Sequence, residues 1–187
     1  MVPTLCRTLG VKGHRPVVGT WDCKHLLYVL ASVNVTTAHL HTDTVECPAG
    51  LYRRTGVSKS RRLQQAFADH LRKIGRRYPK DKYPHVVLLI DNAPWHAGEP
   101  VRKALADNPH LELKRLPSYS PQLNVIERFW KLLRRRATHN RLFDSLTDLR
   151  RSIRASLSYF QTVRQRIQTL IAKCYPLPVN QTSSTGT

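Results

Sequence analysis

Two carboxylates stand out in a chain that has few of them. Of 187 residues, 12 are acidic against 31 Lys plus Arg, so an Asp or Glu in apolar surroundings is a candidate for chemistry. Asp91 directly follows the apolar run Val86–Ile90. A strand ends there, at the sheet edge where open α/β folds place their ligands. Asp-Asn-Ala-Pro is also good turn chemistry, and alone it fits a turn equally well. Glu127 lies three residues past Asn124. It can close an Asn-x-x-Glu capping box, or pair with Lys131 at i,i+4. The same position keeps a carboxylate ionised in the field of the helix, which suits a ligand for a hard cation. Lys131 and Arg134 share that helix face, where they would hold the phosphates of a bound strand.

The charge points the same way. A formal net charge of +19 and a pI near 10.6 make a polyanion the default partner, nucleic acid first. A hydrophobic content of 41% rules out a disordered basic tail. No apolar run approaches the roughly 20 residues of a membrane span, and residues 1–7 hold no apolar stretch of a secretory signal. A cytoplasmic, nucleoid-associated protein with no membrane partner is the expectation. Cys6, Cys23, Cys47 and Cys174 form no C-x-x-C pair and read as reduced thiols. His39 and His41 would share a strand face and read as exposed strand residues rather than metal ligands. Two Asn-x-Thr sequons, at Asn34 and Asn180, are chance matches in this setting.

The elements that must position these groups follow from periodicity. Residues 1–20 carry Pro3, Gly10, Gly13, Pro16 and Gly19 and read as an irregular lead-in. Residues 25–35 and 40–45 predict a hairpin, followed by a Pro/Gly loop over 47–56. Leu63, Phe67, Leu71 and Ile74 set a helix over 60–77, with Gly75 and Pro79 as stop signals. The run 86–90 reads as a strand buried on both faces. A helix over 100–107 and a strand over 111–116 come next, and then a polar turn over 117–121. Ile126, Phe129, Trp130 and Leu133 make one apolar stripe on a helix from Asn124. Ser145 with Asp148 starts a last helical region, one long helix or two. The predicted organisation is a domain over 1–145, a helical region over 146–174 packed on it, and a disordered tail over 175–187. The class is α/β.

Together the two carboxylate segments are more specific than either alone. Leu-Leu-Ile-Asp91-Asn-Ala-Pro-Trp-His96 and Ser120-Pro-Gln-Leu-Asn124-Val-Ile-Glu127-Arg-Phe-Trp130 resemble the signature blocks of DDE transposases, in the bacterial insertion-sequence branch of the mariner-like superfamily. Between Asp91 and Glu127 lie 35 residues, which fits that pattern. The resemblance extends over roughly residues 3–145 and includes Pro3-Thr-Leu-Cys-Arg-Thr and Gly13-His-Arg-Pro-Val-Val.

The resemblance implies an RNase H-like mixed sheet flanked by helices. It also implies two divalent ions, Mg2+ or Mn2+, held by three carboxylates for cutting and rejoining duplex DNA at transposon ends. Asp91 matches the second carboxylate and Glu127 the third. His96 is expected at the DNA, with Lys131, Arg134, Arg135 and Arg136. The basic stretch with Arg61, Arg62, Arg72 and Lys73 is a second DNA surface. Asn92, Asn124 and Trp130 are structural support. A homodimer accompanies the resemblance.

There are departures from the pattern. Val125 stands where the family has Pro, and Leu9 where a Trp is common. The first strand and its Asp, along with the helix-turn-helix region, are expected ahead of Pro3, so the chain reads as N-terminally truncated. Asp22 is assigned to a turn at the start of the hairpin. The expectation is therefore a transposase domain that is inactive as this chain. The alternatives are a non-catalytic DNA-binding or dimerising remnant, and a ribosomal-type RNA-binding protein, which leaves the carboxylate blocks unexplained.

Overall fold

The computed structural model describes residues 26–117 and 124–175. The lead-in with Asp22, Cys6 and Cys23, the polar turn past Pro117, and the tail from residue 176 lie outside the described residues.

Strands β1 (Leu26–Val33) and β2 (Leu40–Cys47) form an antiparallel hairpin. Its loop is closed locally: Asn34 Oδ1 accepts the amides of Thr36 and Thr37, both at 2.9 Å. Alternation gives the hairpin two apolar faces. Leu27, Val29, Ala31 and Val33 join Leu40 on one, and Tyr28 and Leu30 join Val45 and Cys47 on the other. His39 and His41 are half-buried rather than exposed. The long side chain of Tyr78 reaches over the hairpin, and its hydroxyl lies 3.0 Å from His41 Nε2. Cys47 and Cys174 are free thiols; burial pushes that of Cys47 upward, against the nearby charges of Arg62 and Lys59.

The expected loop after β2 contains a short helix, α1 (Leu51–Thr55), set between left-handed glycines at Gly50 and Gly56. Helix α2 (Lys59–Arg77) starts where Ser58 Oγ accepts the amide of Arg61. It runs through Gly75, which is no stop signal. A Cβ there would sit 2.0 Å from Asn108 Oδ1, so the glycine admits the chain that follows the next helix.

Strands β3 (Val86–Ile90) and β4 (Leu111–Arg115) pair in parallel across helix α3 (Glu99–Ala106). Val86, Leu88 and Ile90 pack with α2 and α3, whereas Val87 and Leu89 are 44% and 49% exposed. The strand is thus buried on one face, not two, because α2 and α3 cover only that side. Among the described residues the strands form two two-stranded pieces.

Helix α4 (Val125–Ala137) buries Phe129 and Leu133 against the hairpin, with Trp130 half-buried beside them. The last helical region is two helices, α5 (Leu146–Thr162) and α6 (Arg164–Cys174), broken at Val163. Both share the α4–hairpin core. No helix among the described residues is long and apolar enough to cross a membrane.

Candidate active site

Asp91 emerges from the C-terminal end of β3 with its side chain half exposed. One carboxylate oxygen is already engaged. Oδ1 accepts the amide of Ala93 at 3.0 Å and stands 3.0 Å from Nδ1 of His96. The same Nδ1 is 3.3 Å from the Asp91 carbonyl. Both neighbours are acceptors, so Nδ1 carries the proton and the tautomer is fixed. Among the described residues Oδ2 has no partner. Asp91 therefore presents a single oxygen, as a monodentate ligand does.

His96 is held in turn. Its side chain is 13% exposed, its ring lies 4.3 Å from that of Phe67 on α2, and the turn Pro94–His96 places Trp95 beside Tyr28. Burial pushes the imidazole pKa below its ordinary value, against the opposing pull of the Asp91 carbonyl and carboxylate. Asn92 turns away and donates to the carbonyl of Leu116 at 3.1 Å, tying the exit of β3 to the end of β4. Phe67 had no sequence signal beyond its place in a helical stripe, and its role as the floor of His96 comes from tertiary packing alone.

Glu127 lies in the first turn of α4. The capping box does not form there. Asn124 Oδ1 accepts the amide of Ile126 at 3.2 Å, and Glu127 contributes only its backbone N–H, to the Asn124 carbonyl. The i,i+4 pair with Lys131 does not form either. Among the described residues the Glu127 carboxylate has no hydrogen-bond or ion-pair partner. Both structural explanations for this Glu leave its side chain unused.

The structure thus gathers Asp91, Asn92 and His96 at the β3 exit, and Glu127, Lys131 and Arg134 to Arg136 along α4. No hydrogen bond or ion pair among the described residues joins the two groups. Lys131, Arg134 and Arg135 are exposed and carry no ion pair there. The Arg136 guanidinium instead lies 3.7 Å over the ring of Tyr159 on α5. On α2, Arg61 pairs with Glu99, Arg72 with Asp69 and Asp107, and Lys73 with Asp43, leaving Arg62 unpaired among the described residues.

The free oxygens of Asp91 and Glu127 have the chemistry of hard-cation ligands. Among the described residues, however, no three His, Cys, Asp or Glu side chains stand together as a ready metal site. The described residues do not by themselves complete a two-ion arrangement.

Comparison with known proteins defines the class. The structure matches that of the Mos1 mariner paired-end complex with Mn at a TM-score of 0.60 and 18% identity, covering 91% of this chain and 48% of that one. The Mos1 strand transfer complex matches at 0.55 and 19% identity, over 92% and 47%. The fold is RNase H-like.

A family model for the DDE superfamily endonuclease matches residues 48–150, and the chain belongs to that family. Within it, the likenesses run to an IS630 element and to the Mos1 mariner structures. A Sinorhizobium fredii protein, y4pE/y4sA, is 35% identical over 85 residues, 46% of this chain and 58% of that protein. A 39 kDa protein of insertion element IS630 from Shigella sonnei is 29% identical over 116 residues, 62% of this chain and 31% of that protein. The chain spans 58% and 31% of the length of these two relatives.

Proposed function

We propose that this chain is the catalytic portion of a DDE transposase. Its substrate is duplex DNA, cut and rejoined at transposon ends with Mg2+ or Mn2+, and the working unit is a homodimer. The observation that carries this reading is the carboxylate of Asp91, pinned through one oxygen by His96 and Ala93 and open at the other. Asp91 and Glu127 are metal ligands in this proposal. Asn92 and Asn124 hold the two backbone turns that carry them, and Trp130 anchors α4 in the core. His96, 13% exposed, faces Asp91 and acts as its positioning residue beside the DNA. Lys131, Arg134 and Arg135 hold phosphates beside Glu127.

Among the described residues these two carboxylates are the ones placed for metal, and two do not hold two ions in the geometry that activates a nucleophile and stabilises a leaving oxygen together. The 187-residue polypeptide is therefore expected to bind duplex DNA without cutting it. The test is supercoiled plasmid with Mg2+ or Mn2+, comparing the chain with its Asp91→Ala variant, alongside a salt titration of DNA affinity. Binding should weaken with salt, by roughly 0.9 in log–log slope per phosphate contact. Nicking that needs both metal and Asp91 would overturn the expected inactivity and point to Asp22. Absence of salt-sensitive DNA affinity would overturn the reading as a whole.

A further inference from the structure

The outer edge of β2 lies in a trough that the proposed chemistry does not use, lined by Arg62 and Arg154 and by three carboxylates, Asp43, Glu46 and Asp69, each paired with a base. Its backbone polarity follows from the register. The Asn34 amide bonds the His39 carbonyl, so Asn34 and His39 are a hydrogen-bonded pair. Pairs alternate along an antiparallel ladder. With Ala31 opposite Thr42, Val29 opposite Thr44 and Leu27 opposite Glu46, the N–H and C=O groups of Thr42, Thr44 and Glu46 point away from β1. The Leu40 carbonyl, in the same phase, is met from outside by Gln161 Nε2 at 3.4 Å. Among the described residues no strand pairs with this edge.

Two cavities run along it, of 620 Å³ and 250 Å³, and they share Thr44 and Arg154 as lining residues. Helix α2 forms one wall with Arg62 and Gln65, and α5 forms the other with Arg154 and Ser158. Arg62 and Arg154 are exposed and unpaired among the described residues, whereas Glu46 is neutralised by Arg150.

We propose that this trough is a docking site for an extended acidic segment of a partner protein, added as a strand to β2. The edge offers donors and acceptors alternately, which matches a peptide backbone. A nucleic-acid backbone has only acceptors to offer in return, and the carbonyls would face its phosphates. Arg62 on one wall and Arg154 on the other select carboxylates on the side chains that alternate to either side of the added strand. A second copy of this chain would bring its own Arg62 and Arg154 to the same trough, so the trough favours an acidic occupant over a copy of itself, and the homodimer is formed elsewhere.

The experiment uses the full chain and a labelled Val-Glu peptide with Glu at adjacent positions, so that carboxylates face both walls, about as long as the edge segment from Thr42 to Glu46. Fluorescence anisotropy should show saturable binding. Arg62→Glu or Arg154→Glu should weaken it by about tenfold or more, since a repelling charge replaces an attracting one. Amide exchange at Thr42, Thr44 and Glu46 should slow in the complex. The corresponding Val-Lys peptide, and a Val-Glu peptide N-methylated at alternate residues, should not bind. Where a charge reversal lowers folding stability, Arg154→Gln serves in its place. No binding of the Val-Glu peptide would overturn the proposal, as would equal binding of either control. DNA affinity or self-association reduced by the same two variants, without peptide binding, would assign the trough to DNA or to a second copy instead.

Discussion

Nδ1 of His96 stands 3.0 Å from Oδ1 of Asp91, and this contact fixes which carboxylate oxygen faces outward. The partner that orients a ligand typically accounts for 10–100-fold in metal affinity. His96→Ala should therefore weaken Mn2+ binding about tenfold in an EPR titration, while Asp91→Asn should remove it. If His96→Ala binds Mn2+ as the parent does, the imidazole only packs against Phe67.

Glu127 contributes its backbone, but not its side chain, to the start of α4. Glu127→Gln should change stability by less than about 0.5 kcal/mol, the range of ordinary surface substitutions. Asn124→Ala removes the bond to the Ile126 amide and should cost about 1 kcal/mol, or roughly 2–4 °C in Tm for a chain of this size. Thermal unfolding separates the two. An equal loss from Glu127→Gln would show that the carboxylate caps the helix.

Arg136 should behave unlike its neighbours. Replacing Arg134 or Arg135 with Ala should lower the salt slope of DNA binding by roughly 0.9 each, with little effect on Tm. Arg136 is committed to Tyr159. Arg136→Ala should lower stability by about 0.5–1 kcal/mol and move the slope less. A full loss of slope from Arg136→Ala would show that the stacked guanidinium leaves the ring to reach phosphate.

His41 predicts an acid sensitivity. Burial lowers its pKa to about 4, helped by the charges of His39, His70 and Arg77 and opposed by Asp43. The Tyr78 hydroxyl accepts from the Asn34 side-chain Nδ2 and directs its own proton at Nε2, so the ring is held neutral. The unfolded chain takes up the proton near 6.5 and the folded chain only near 4. Stability therefore falls as pH drops through that window. Discounted for the half-exposed ring, the effect is about 1 kcal/mol, or about 2–4 °C in Tm between pH 7 and pH 4.5. His41→Gln should shrink that drop; an unchanged drop would assign it to other groups.

Much of the frame was legible in the residues. Leu63, Phe67, Leu71 and Ile74 gave α2, the apolar stripe gave α4, and the paired motifs around Asp91 and Glu127 gave the family. What escaped was tertiary. Gly75 reads as a helix stop until Asn108 is seen filling the space beside it. Val87 and Leu89 look like core until the helices prove to cover one face of β3. The capping box at Asn124 is a fair inference from spacing, but whether the Asn bonds the second or the third helical amide is a matter of rotamer. Three of the seven Lys and Arg residues of α2, Arg61, Arg72 and Lys73, pair with acids far away in sequence, Glu99, Asp107 and Asp43, and charge counting alone cannot foresee such pairs.

Asp91 is carried by the core that α2 builds with β3 and α3, and Glu127 by the core that α4 builds with the hairpin, α5 and α6. The two bodies meet where α2 lies on the hairpin. There His70, 3% exposed, holds Asp43 at 2.7 Å and Ser32 at 3.0 Å, and Lys73 closes on the same Asp. Hydrogen bonds to Asp43 outweigh the effect of its burial and keep it ionised well into the acid range. The distance between the two carboxylates is thus set like the gap of a pair of callipers whose arms are rigid and whose pivot joins this polar knot to the apolar contact of Leu63 and Ala66 on Tyr28, Leu30, Val45 and Cys47. Trimming a side chain inside either arm costs stability and leaves the gap alone. Removing Asp43 or His70 takes from the other its partner at the joint, so the residues that hold the gap also lower stability when they are lost.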